Sequence, residues 1–148
     1  LQVAGTISAS PATTANQVVV KSQLDAAASS GTYTPTVVAN TNVSGVTNVK
    51  GTYAKVGNIV TARISFEVTI TSIGVATLTV TLPINRATTS PINIGSGSAY
   101  SNFGSNVYPL FSQSGMTGID KTGITLKTTG AGGEALLCSL TIQYDITQ

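Results

Sequence analysis

The sequence predicts an all-β fold, an antiparallel β-sandwich of jelly-roll-like build behind a short N-terminal linker and helix. The first of three observations is a strict two-residue alternation. Along Ile59–Ile70 it places Val60, Ala62, Ile64, Phe66, Val68 and Ile70 on one face and Thr61, Arg63, Ser65, Glu67 and Thr69 on the other. That is the signature of a half-buried antiparallel strand. The second is composition: 41% of the 148 residues are hydrophobic and only 8% are charged, with Thr, Ser, Asn and Gly making up most of the rest. Branched side chains suit a pleated surface, and this much apolar content is incompatible with disorder. The third is the recurrence of Gly, Pro and Asn between apolar runs, at a spacing that marks off about seven or eight strands of a sandwich. The length suits one such domain.

The elements follow in order. Leu1 to Ser10 reads as extended, and Pro11 to Asn16 as a turn or linker. Val18-Val19-Val20 is too short for an independent strand. Ser22 to Ala28 reads as a short helix with Ser22 as its N-cap, ended by Ser29-Ser30-Gly31. So short a helix is marginal alone and needs a partner, which copies of itself about a shared axis would supply. Residues 1–30 are therefore read as an attachment segment and residues 31–148 as the β-domain.

Within the β-domain, Tyr33 to Val38 and Lys50 to Lys55 read as strands joined by an Asn/Val/Ser loop over Ala39 to Asn48. After Ile59–Ile70, the turn Ser72-Ile73-Gly74 leads to Val75–Leu82, with Ala76, Leu78, Val80 and Leu82 inward. The two strands read as a hairpin. Pro83 ends the second, because proline cannot donate to a ladder. Asn85 to Gly97 reads as irregular, Ala99 to Phe111 as an aromatic-rich stretch, and Gly115 to Gly118 as a loop. Ile119 to Lys127 is a weak strand around Ile124 and Leu126, and Thr128 to Gly133 a turn. The last strand, Glu134 to Ile146, sets Leu136, Cys138, Leu140, Ile142, Tyr144 and Ile146 on one face.

Much chemistry is excluded. Without histidine the chain lacks the usual general base, the histidine-activated nucleophiles and the commonest metal ligand. One cysteine and no histidine cannot build a zinc site or an intrachain disulfide, and no cofactor is expected. Cys138 lies in an apolar run and reads as a small buried residue. The five carboxylates show no spacing that would pair two of them, as a glycosidase requires, and Asp120 to Gly123 offers too few oxygens for calcium. Gly95 to Ser98 and Gly130 to Gly133 lack the lysine and the strand–helix setting of a phosphate loop. The chain therefore reads as a non-enzyme. Its net charge of +2 comes from singly scattered residues, so no basic stripe invites nucleic acid. So few charges protect weakly against association, which suits a surface covered by identical copies. No run approaches the length of a membrane span, and no secretory leader is recognisable. The start at Leu1 reads as the mark of a processed or truncated product.

The aromatic stretch holds the best binding candidates. Tyr100, Phe103, Tyr108 and Phe111 alternate with Ser101, Asn102, Ser105 and Asn106. Flat rings beside amides and hydroxyls suit a saccharide, and Tyr100, Asn102, Asn106 and Tyr108 are the candidate receptor- or glycan-binding residues. Against that stands the large burial gain of rings in a core without tryptophan, which is the reading taken for Phe103 and Phe111.

Pro11-Ala-Thr-Thr-Ala-Asn-Gln-Val-Val-Val-Lys-Ser-Gln-Leu-Asp25 resembles the linker of bacteriophage tail fibres and related virion proteins. There a Val-Thr-Lys-x-x-Val-Asp-like element opens a trimeric segment; here Val20 and Leu24 replace Thr and Val. Gly31 to Thr36 and Tyr53-Ala-Lys-Val-Gly-Asn-Ile-Val-Thr61 resemble the opening of a β-domain frequent in phage structural proteins, with Gly57-Asn58 as a tight turn before the long strand. The resemblance spans residues 11–82. It implies a homotrimer associating through Val18, Val20 and Leu24, located on the virion and joined to other virion proteins by the N-terminal segment. It also implies a host surface glycan or protein as the distal partner. Two other readings stand beside this one: a purely structural capsid-decoration or head-fibre protein, and a stand-alone carbohydrate-binding or adhesin module. A depolymerase tip would require Glu67 or Glu134 to meet another carboxylate across a subunit boundary.

Overall fold

The computed structural model describes residues 23, 27–85, 93–101, 106–113, 121–128 and 132–147. Nine strands are defined: β1 (Ala28–Tyr33), β2 (Val37–Thr41), β3 (Val43–Val56), β4 (Ile59–Ile70), β5 (Gly74–Thr81), β6 (Asn93–Ser101), β7 (Val107–Gln113), β8 (Lys121–Thr128) and β9 (Ala135–Asp145). All pairings are antiparallel, and the strands form one sheet in the order β1-β3-β4-β9-β6-β7-β8-β5-β2. The expected all-β antiparallel class is what the chain adopts. Strands β9-β6-β7-β8 are laid out as a Greek key, three consecutive strands with the fourth returning beside the first.

Alternation along β4 and β9 builds the core. All six inward residues of β4 are buried, as are Leu136, Cys138, Leu140, Ile142 and Tyr144 of β9. All of these except Ala62 meet Ala76, Leu78 and Val80 of β5, Leu82, Ala99 of β6, and Tyr108 and Leu110 of β7 in one cluster. A continuous sheet whose single apolar face gathers into one cluster must curl upon itself. Each large aliphatic side chain buried there contributes on the order of 1.5–3 kcal/mol. Tyr144 adds a tie: its hydroxyl donates to the Ile84 carbonyl (2.8 Å) and accepts from the Ile84 amide (3.2 Å), fixing the chain beyond β5.

Several expectations are corrected. The strands β4 and β5 are not a hairpin. Both edges of β4 are taken, by β3 and β9, and β5 pairs with β2 and β8. The Ala39 to Asn48 stretch is not a loop. It holds the end of β2 and the start of β3, with Asn42 (φ 56°) at the corner and Asn48 (φ 54°) at a register shift. Asn tolerates left-handed backbone, so these residues turn and bulge a strand rather than interrupt it. Residues 93–97, expected to be irregular, open β6, where they pair with β9. Tyr33 to Val38 is divided between β1 and β2. Most of the expected Ser22 to Ala28 helix lies outside the described residues. Gln23 and Ala27 have helical backbone, but Ala28 to Gly31, read as its end and terminator, belong to β1. The Gly115 to Gly118 loop also lies outside the described residues.

The β1–β3 ribbon has a reciprocal arrangement. Gly31-Thr32-Tyr33 lies antiparallel to Gly51-Thr52-Tyr53, so each tyrosine faces the other's glycine and the threonines face each other. A Cβ on Gly51 would come within 2.5 Å of the Tyr33 ring, and one on Gly31 within 3.2 Å of the Tyr53 ring. Each ring covers a glycine, and the rings meet edge to face with centroids 6.3 Å apart. The hairpin turn between β3 and β4 is the expected Gly57-Asn58, with Gly57 at φ 58°.

Candidate functional site

The ladder registers fix what the outer face of the sheet presents. Across β3, β4, β9, β6 and β7 one row reads Lys50, Ser65, Ser139, Ser98 and Pro109. The row on one side reads Thr47, Glu67, Leu137, Tyr100 and Val107, and that on the other reads Thr52, Arg63, Thr141, Ser96 and Phe111. The serines stand between Glu67, Leu137 and Tyr100 on one side and Arg63 and Thr141 on the other, making a trough across the strands that is open at Ser96. Successive strands lie about 4.8 Å apart, so the hydroxyls of Ser65, Ser139 and Ser98 are spread over about 10 Å.

The two ends of the trough differ. At the β6–β7 end Tyr100 is 50% exposed and Phe111 54%, with Val107 and Leu137 also exposed. Four large apolar side chains thus stand in solvent on one part of one face, the kind of exposed apolar grouping at which contacts form. At the β3–β4 end the trough opens into a cleft of about 230 Å³ lined by Lys50, Thr52, Arg63, Ser65 and Ser139. A second depression, about 420 Å³, shares Lys50 and Thr52 and extends to Thr32 and Thr34 at β1. Arg63 and Glu67, four residues apart on the outer side of β4, form no ion pair. Ser65 separates them, and four residues of strand span about 13 Å. Instead, the Thr47 hydroxyl donates to the Glu67 carboxylate at 3.5 Å.

The sequence-derived candidates divide. Tyr100 lies on this face. Asn106 is exposed just before β7, its carbonyl accepting from the Ser101 amide at 3.1 Å. Asn102, Phe103, Val18, Val20 and Leu24 lie outside the described residues. Tyr108, a binding candidate, is 4% exposed, and its hydroxyl donates to Glu134 at 3.3 Å. Phe111, read as core, is exposed. Both corrections have one cause: Leu110 faces inward, and the alternation of β7 then turns Tyr108 in and Phe111 out. The serine row and the two cations were missed as a site, since only cross-strand register brings them together.

Other groups are engaged in structure. Cys138 is buried, its thiol pushed up to about 12 by desolvation. Tyr33 keeps a buried hydroxyl with no hydrogen-bond partner among the described residues, and burial raises its pKa, with nearby Tyr144 a further cause. Asp145 is lowered by hydrogen bonds from the Thr147 hydroxyl (2.6 Å) and amide (2.8 Å). Among the described residues no cluster of His, Cys, Asp or Glu could hold a metal ion, and no helix is long and apolar enough to cross a membrane.

No protein-family model and no curated protein sequence matches the chain. Solved structures do. The C-terminal receptor-binding domain of the avian reovirus fibre sigmaC, in a zinc crystal form, is similar with a TM-score of 0.61 at 17% identity, covering 82% of this chain and 75% of that one. The same domain in a second crystal form gives 0.56 at 17% identity, over 82% and 77% of the two chains. The T1L reovirus attachment protein sigma1, in complex with alpha-2,3-sialyllactose, gives 0.53 at 16% identity, over 89% and 71%. At these identities the likeness is one of fold: the chain shares its architecture with receptor-binding and attachment domains of virus fibres.

Proposed function

We propose that this chain is the distal domain of a virion attachment fibre, a non-enzymatic module that adsorbs the particle to its host's surface. The observation that carries this reading is the shared fold with fibre receptor-binding domains over four-fifths of the chain. The exposed Tyr100 and Phe111 beside a serine trough give that fold a contact surface. The resemblance of residues 11–82 to phage fibre proteins supports a bacteriophage as the particle. On this reading residues 1–30 join the domain to the rest of the virion, and three copies associate through Val18, Val20 and Leu24. Tyr100, with Asn102 and Asn106 near it in sequence, contacts the host glycan or protein.

Two measurements test it. Light scattering should give a native mass near three times 15.0 kDa, and Leu24→Asp should lower it. Labelled chain should bind intact cells of a susceptible strain among a panel of bacteria, and unlabelled chain should compete with phage adsorbing to that strain. A monomer that binds no cells overturns the proposal.

A further inference from the structure

We infer that the Lys50–Arg63 end of the trough binds the anionic group of an acidic saccharide, one carrying a carboxylate or a phosphate; this rests on the receptor-binding reading above. Lys50 is directly opposite Ser65, and Arg63 directly opposite Thr52, so the two cations are diagonal neighbours on β3 and β4. Diagonal positions are about 7–8 Å apart, within reach of long side chains. The chain has only seven cations in 148 residues, and two of them line this one cleft. Neither forms an ion pair with a described residue. Glu67, the acid nearest along β4, takes the Thr47 hydroxyl instead.

An anion in the cleft lies within reach of both cations. The guanidinium of Arg63 offers a planar fork of donors matched to a carboxylate or phosphate, and Lys50 adds a point charge. The hydroxyls of Thr52, Ser65 and Ser139 line the same cleft and suit the neutral oxygens of a sugar ring. From there Ser139 and Ser98 lead along the trough to Tyr100, whose exposed ring offers an apolar surface to the next sugar. One end reads charge, the middle reads hydroxyls, and the far end stacks.

The test uses the whole chain, isotopically labelled, with three probes: digalacturonate for the carboxylate, mannose 6-phosphate for the phosphate, and lactose as the neutral sugar. At least one acidic probe should shift the amide resonances of Thr52, Arg63, Ser65 and Ser139, and which one does so identifies the anion. Arg63→Gln should weaken that probe at least about tenfold, the loss of one charge-assisted contact, with an unchanged melting temperature. Added salt should weaken it too, and Lys50→Gln should act in the same direction as Arg63→Gln. Shifts confined to other residues, no shift with either acid, or lactose binding equally well with Arg63→Gln unaffected would each overturn the inference. Wild-type chain that binds cells but neither acid leaves the receptor-binding reading standing and removes only this site. Chain that binds an acid at the cleft but no cells keeps the site and removes that reading.

Discussion

The two faces of β4 and β9 are made by alternate residues of the same strands, yet they answer to different physics. Inside, Val60 to Ile70 and Leu136 to Tyr144 are nearly solvent-free, and volume decides what fits. Outside, Arg63, Ser139 and Thr141 stand in water and Ser65 is half-buried, and there size matters little and donors and charge matter more. A single period of two thus supplies the cohesion and the contact surface together. The stability of such a domain should be almost insensitive to chemistry on its outer face.

Four substitutions or measurements can break or sharpen that contrast. The largest effect belongs to Phe66→Ala on the inner face, which should cost about 3–5 kcal/mol in denaturant unfolding; a loss below about 1 kcal/mol would show that the core is not packed around that ring. Gly97→Ala comes next. Its Cβ would press on the Ser139 carbonyl and the Leu140 Cα, backbone atoms that cannot swing aside. Strain of about 1–3 kcal/mol is expected, with amide exchange quickened along β6 and β9. Third, the buried Cys138 thiol links the core to pH. Its folded pKa is raised from 9.0 to about 12, so between those values the unfolded chain has released a proton that the folded chain still holds. Stability from this group is intact below pH 9 and falls as pH rises toward 12. Cys138→Ala should flatten that slope, and native protein at neutral pH should resist thiol reagents. The smallest effect is on the outer face: Ser139→Ala should change stability by no more than about 0.5 kcal/mol, and a larger loss would mean that the trough is structural.

The inner face was legible in the sequence and the outer site was not. Alternation states which side chains point together, so β4 was found with its bounds and its buried set. It does not state which strand lies alongside. The short link from Ile70 to Gly74 looks like a hairpin, but β9 takes the edge that β5 would need. Asn42 and Asn48 suggest a loop because their turn chemistry is the same whether a strand ends or only bends. The phase of β7 was missed because four rings near a proline outweighed one leucine, Leu110, whose burial sets the alternation. The trough needs residues from five strands, and register is not written in any one of them. The sequence does carry a signal for one pairing: Gly-Thr-Tyr occurs twice, at residues 31 and 51, and those tripeptides are partners.

That pairing has a mechanical consequence. Because β1 lies along β3 from Ala28 to Tyr33, tension applied to the chain at Ala28 along the strand axis is borne in shear. Its rungs are loaded together rather than peeled one by one. The two rings seated over opposing glycines act as detents. A slip of two residues would lift both tyrosines from their seats at once, so the strand holds at one setting. The domain is thereby fastened to the chain that leads into it by a keyed joint, one that resists being pulled along its own axis.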